Sequence, residues 1–361
     1  MDGGDKGLKS PLFRVVNKRT KKIQTECCAK SKEDDMIKRN LIKRVMAAGA
    51  IMAVTLSLAG CGIGGSSVKL GAAGVGGGYY AFFNAFAQIA SEEDEDLDFE
   101  VKATAGSSAN IRLLSDGYVD MAIAQADLVD AAYNGTGATD KKRYRGYSAV
   151  ASLYTEACQI VVRADSGIDS LDDLQGKKIS VGEEESGTQR NAEQILKMTG
   201  LVESLVDTVN LDYVDAANEL KSGQIDAFFC TAGIQTSVIE ELSKECDVKL
   251  IGIDDKCRDR LKSVYGFYTD YTIPAGTYEG QDQDVETLGI RAVLLARDDM
   301  DEEIVEKLTG LLFEHVQDIQ YSIALTFQID ESEAVKNVTI PFHDGAKAYY
   351  QKKGIEIPAE Q

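Results

Sequence analysis

The chain has 361 residues, long enough for two ordinary domains. Residues 1–60 hold 13 Lys and Arg against 6 Asp and Glu, a net of +7; of 39 basic and 59 acidic residues overall, the remainder therefore carries 26 against 53, a net of −27. A body that acidic excludes nucleic-acid binding through its general field, and an apolar content of 44% suffices for a sizeable core.

Residues 1–35 are polar and basic, with Cys27 and Cys28 adjacent. A signal peptide beginning at Met36 is well formed without them, so they read as an overcalled start or a disordered extension. Lys38, Arg39, Lys43 and Arg44 open the signal, and Val45 to Gly60 is uncharged. Sixteen residues are short for a membrane span of about 20 but suit a secretory core. Leu58-Ala59-Gly60-Cys61 resembles a bacterial lipobox, which makes residues 36–60 a lipoprotein signal peptide and Cys61 the lipidated N-terminus. Residues 61–67, rich in Gly and Ser, read as a flexible tether.

Strand and helix patterns then alternate. Val68–Ala72 predicts a strand. Phe82, Phe83, Phe86 and Ile89 predict a helix over Tyr79–Ala90. A strand at Asp98–Thr104, a helix at Ser107–Asp116 and a buried strand at Met121–Ala124 follow. Val150–Ala164 is long enough to leave one domain and enter another. The pattern restarts with strand Lys178–Val181, helix Thr188–Thr199, strand Val209–Tyr213 and helix Ala216–Ser222. Strand Asp226–Phe229, helix Ser237–Lys244 and strand Val248–Ile253 complete it. A second long apolar strand, Thr287–Ala296, returns to the first domain, and helices occupy Glu302–Ser322 and the tail. Alternation of this kind predicts an α/β fold with parallel-rich sheets covered on both faces. Two extended crossings between the units predict two lobes with a cleft: residues 68–160 plus 285–361, and residues 161–284.

The segment VKLGAAGVGGGYY (68–80) has the shape of a phosphate loop, a strand running through glycines into a helix. The dinucleotide fingerprint fails, because counting from Gly74 puts Tyr79 at the third glycine position. Gly176-Lys177-Lys178 lacks the hydroxyl of a Walker loop. What remains is a set of backbone N–H groups at a helix start, suited to an anion or polar group. Three other segments also link a strand to a helix: Thr104–Ser108, Gly182–Thr188 and Cys230–Gly233. Gln125 and Asp127 lie just past another strand. All stand at the carboxyl ends of strands, where open α/β sheets bind ligands, and they come from both lobes.

GVGGGYY (74–80), ATAGSSANIRLLSDGYVDMAIAQAD (103–127), LQGKKISVGEEESGTQRNAEQIL (174–196) and YTIPAGTYEGQDQDVETLGIRAVLLAR (271–297) together resemble the TAXI family of solute receptors for TRAP transporters. The similarity covers about 68–355. Thr231–Gln235 departs from the family in lacking a proline, which bears on ligand identity. The resemblance implies a periplasmic-binding-protein type II fold. It implies a bacterial, extracytoplasmic, lipid-anchored receptor that delivers a small organic acid or amino acid, such as glutamate or 2-oxoglutarate, to a TRAP membrane permease driven by an ion gradient.

The expected ligand contacts are Gly76, Gly77, Gly78, Tyr79, Ser107, Ser108, Gln125 and Asp127 from the first lobe. Ser186, Gly187, Thr188, Thr231 and Gly233 come from the second. Asp127 is either a helix cap or an acceptor for a ligand amine. Arg112 and Arg190 are the nearest cations. Cys158, Cys230, Cys246 and Cys257 share no metal spacing; buried thiols are expected, with a Cys246–Cys257 disulfide left open. His315 and His343 stand without the partners of a hydrolase or metal site. No enzyme activity, metal or cofactor is expected, and a monomer is. An exported enzyme and the receptor of an ATP-driven importer remain the alternatives.

Overall fold

A computed structural model describes residues 67–137, 140–202, 204–323 and 329–358. The expected signal peptide, Cys61 and the residues before them therefore lie outside the described residues. Among the described residues, no helix is long and apolar enough to cross a membrane.

The strands are β1 (Val68–Gly71), β2 (Phe99–Lys102), β3 (Met121–Gln125), β4 (Tyr147–Arg163) and β5 (Lys178–Ser180). They continue with β6 (Asp207–Val209), β7 (Ala227–Ala232), β8 (Val248–Leu250), β9 (Thr269–Ile273) and β10 (Val285–Arg297). The helices are α1 (Gly78–Glu93), α2 (Ser107–Ser115), α3 (Ala126–Asn134), α4 (Gly187–Thr199) and α5 (Tyr213–Ser222). Then come α6 (Ser237–Glu245), α7 (Asp255–Val264), α8 (Glu302–Glu314), α9 (Val316–Ser322) and α10 (Asp344–Lys353).

The fold is α/β, as expected, and its strands form one sheet in the order β2-β1-β3-β10-β4-β7-β5-β6. Pairing is parallel in the outer groups, β2-β1-β3 and β7-β5-β6. It is antiparallel at the centre, where β4 and β10 pair with each other and with their neighbours. The sheet is therefore mixed rather than parallel throughout. The cause is connectivity: β4 leaves one half of the molecule and β10 returns to it. Their ladder runs from Gly289–Ala157 to Arg297–Tyr147 with two register shifts, between Arg291 and Val293 and between Leu294 and Leu295. β9 extends β10, and β8 extends β4.

Each half has its own apolar core. Phe82, Phe83, Phe86, Tyr154 and Tyr350 are fully buried in one. Ile160, Leu174, Ile195 and Leu261 belong to a second, and Val161, Leu220, Phe228 and Ile239 to a third. Tyr213 begins α5 instead of ending a strand, because Asp212 caps that helix by accepting from the Asp215 N–H. The helix expected to run unbroken from Glu302 to Ser322 divides at His315. Cys246 and Cys257 are both free thiols, so the disulfide left open by the sequence is not formed. They follow or begin different helices and pack on different cores.

Candidate functional site

The carboxyl ends of β1, β3, β5 and β7 meet beside β4, and the halves touch there. Gly106 has a φ of +117° and passes the Ser186 backbone so closely that an added Cβ would lie 3.5 Å from Ser186 Cα. The carbonyl of Glu185 accepts from the N–H groups of Ser108 at 3.1 Å and Ala109 at 3.3 Å. Glu185 sits at a φ of 66°, a left-handed position that only a tightly held side-chain-bearing residue keeps. Its carboxylate takes a two-pronged bond from Arg112, Nε at 3.1 Å and Nη2 at 2.6 Å. Ser237 Oγ donates to the Gly76 carbonyl at 3.2 Å, and Gln125 Nε2 donates to Asn191 Oδ1 at 3.0 Å.

Beside these contacts lies a cavity of about 40 Å³. That is room for about three waters, at the ~10–15 Å³ one water requires. Its walls come from both halves: Gly74 to Tyr79 without Val75 and Gly76, Gly106, Ser107, Gln125 and Glu156 on one side, and Glu183, Ser186 to Thr188, Asp212, Tyr213 and Thr231 on the other. Nine residues expected from sequence meet here: Gly77, Gly78, Tyr79, Ser107, Gln125, Ser186, Gly187, Thr188 and Thr231. α1 and α4 begin at the wall, at Gly78 and Gly187, and present the positive ends of their dipoles. Thr188 is locked in place: its hydroxyl lies 2.6 Å from Tyr213 Oη and accepts from the Thr231 N–H at 3.2 Å.

Four expected contacts lie elsewhere. The Gly76 carbonyl and the Ser108 amide serve the junction between halves. The Gly233 carbonyl accepts from Thr236 Oγ1. Asp127 lines a second, larger cavity of about 590 Å³ with Ser108, Ser186 and Arg190. Burial raises the Asp127 carboxyl to about 6, opposed by its bond from the Leu128 N–H and by the charge of Arg190.

Sequence reading missed Glu156 and Tyr213. Glu156 is 3% exposed and accepts the Tyr79 hydroxyl proton at 2.5 Å on Oε2. Burial pushes its carboxyl up to about 8, against the hydrogen bonds from Tyr79 and Gln125. A lone charged residue in the otherwise uncharged run YSAVASLYTEACQIVV was the available signal. No Lys or Arg lines this cavity, and Arg112 is spent on Glu185. With side chains 38% and 45% exposed, that pair is worth little. Arg112→Gln is expected to change the unfolding free energy by less than about 1 kcal/mol in urea titration. A larger loss would make the bridge a principal tie between the halves.

Several solved structures align with the chain at low identity. The alkanesulfonate-binding protein SsuA from Xanthomonas axonopodis pv. citri, bound to MOPS, aligns at 14% identity over 72% of this chain and 78% of its own, with a TM-score of 0.44. A putative L-cystine ABC transporter protein from Listeria monocytogenes aligns at 13% over 72% and 94%, with a TM-score of 0.45. The periplasmic aliphatic sulphonate binding protein SsuA from Escherichia coli aligns at 13% over 81% and 94%, with a TM-score of 0.41. Residues 70–354, nearly all of the three apolar cores and every segment of the cavity wall, match the NMT1-like family. The chain belongs to the NMT1-like family.

Proposed function

We propose that this protein is the extracytoplasmic solute-binding subunit of a TRAP-type, ion-gradient-driven transporter. It is held at the membrane by lipid on Cys61. It captures a small carboxylate by closure of two lobes, residues 68–160 plus 285–361 against 161–284, and delivers it to a membrane permease. The observation that carries this reading is the cavity itself: it is walled by both halves, lies at the carboxyl ends of strands, and receives the starts of two helices. A ligand that touches both halves stabilises the closed form through its differential affinity, and the permease reads closure. The segments that resemble TAXI receptors supply the TRAP assignment.

Thermal unfolding of the purified protein against glutamate, glutamine, 2-oxoglutarate and C4 dicarboxylates tests the reading. Ligand at 100 times its Kd adds about 2.7 kcal/mol of stability. That is expected to raise the midpoint by about 5 °C or more in a protein of this size. If none of these compounds moves the midpoint, the carboxylate reading is wrong.

A further inference from the structure

The cavity wall carries three acids, Glu156, Glu183 and Asp212, and no base. Asp212 is occupied as the cap of α5. Glu156 is different: it sits at the floor, 3% exposed, and its donors from the protein, the Tyr79 hydroxyl and the Gln125 amide, are both neutral. The groups facing it are Tyr79 from α1, Asp127 from α3, Tyr154 and Cys158 from β4, Tyr213 from α5 and Cys230 from β7. None is a cation.

A second observation lies next to it. Gln125 is 1% exposed and on the same wall, and its Oε1 has no hydrogen-bond partner. Its Nε2 is held by Asn191 Oδ1, whose own amide donates to Tyr268 Oη at 2.8 Å. The amide is thereby oriented with its oxygen free. A buried acceptor left unpaired is costly, and such groups in native proteins mark an expected partner. Two acceptors on one cavity wall, one a carboxyl, fit a donor with several protons and positive charge. A ketone oxygen placed there finds at most the proton of a neutral Glu156, whereas an ammonium gains both acceptors.

We infer that the ligand carries a cationic amine seated on Glu156 and Gln125 Oε1, so that the site selects a zwitterionic amino acid over the matching oxo acid. The amine end faces the floor, and the carboxylate faces the helix starts at Gly78 and Gly187. This inference rests on the proposed function and narrows its ligand class. It gives Glu156, rather than Asp127, the task of receiving the amine.

Matched pairs test it on the unmodified protein by titration calorimetry: L-glutamate against 2-oxoglutarate, and L-alanine against pyruvate. Within the pair that binds, the amine member is expected to bind at least about 10-fold tighter, the worth of one hydrogen bond to a charged group. Glu156 is mostly protonated at pH 7, and an ammonium beside it favours the ionised form. Binding of the amine should then release close to one proton, read from the dependence of the heat on buffer ionisation. Glu156→Gln should abolish that release and weaken the amine ligand by a comparable factor. The oxo acid binding as well as the amino acid overturns the inference and leaves the proposed function standing. Amine binding with no proton release, or unaltered by E156Q, also overturns it. Binding of neither member of either pair overturns this inference, and the carboxylate reading falls with it when glutamine and the C4 dicarboxylates also fail to bind.

Discussion

Gly187→Ala is expected to weaken ligand binding by about 5- to 150-fold while leaving the unliganded protein folded. An alanine Cβ at this position would lie 2.4 Å from Gln125 Cδ, 2.5 Å from Oε1 and 2.7 Å from Nε2. Contacts that short do not occur, so something must move. Gln125 cannot turn away freely, because Asn191 holds its amide and Ser107 Oγ accepts its backbone N–H at 3.1 Å. The start of α4 must retreat instead, and with it the second half's share of the wall. Overpacking of this kind costs about 1–3 kcal/mol, and each 1.4 kcal/mol is tenfold in affinity. Within its own half the substitution is benign: alanine is the better helix former by roughly 0.5–1 kcal/mol. Calorimetry and chemical denaturation on the same variant separate the two effects. Affinity within twofold of the unmodified protein would mean that the halves need not meet at Gly187 to hold a ligand.

Phe82→Ala should be the most damaging single truncation for stability, at about 3–5 kcal/mol. Phe82 is fully buried, with ring centroids 5.9 Å from Phe83 and 6.3 Å from both Phe86 and Tyr154. Domains are stable by only about 5–15 kcal/mol, so this is a large fraction. The position also matters for the site. Phe82 stands one turn after Tyr79 on α1, and its neighbour Tyr154 stands two residues before Glu156 on β4. The aromatic stack therefore braces both partners of the Tyr79–Glu156 hydrogen bond. A urea midpoint corresponding to less than about 1 kcal/mol of loss would show that the stack is not a principal part of this core.

Local signals carried most of the architecture. The period of Phe82, Phe83, Phe86 and Ile89 marks α1, and the long apolar runs mark β4 and β10. The loop at Ser186–Thr188 was recognisable from its place between a strand and a helix. What local signals omit is which face of a crossing strand turns inward and what stands opposite. Glu156 is in register with Ile290 across the ladder, and nothing in its neighbours along the chain announces that it floors a cavity. Asp127, by contrast, looked like a ligand contact from its spacing, but α3 starts at Ala126 and carries it into the larger cavity. Ser108 likewise lines the larger cavity. Its amide was expected to await an anion, and a carbonyl from the other half of the chain takes it. Contacts of this range are decided by tertiary approach, not by residue type.

The central ladder of β4 and β10 has a mechanical consequence. Both strands pass unbroken from one core to the other, so the pivot between the halves is a hydrogen-bonded ribbon and not a loop. A ribbon of this kind resists shear and bending along its strands but yields to torsion, as twisted strands do. The two register shifts are the places where its pairing is already irregular, and where added twist disturbs the fewest bonds. Under the proposed lobe closure, opening would act as the winding of a torsion bar, storing energy that returns the halves to the same alignment.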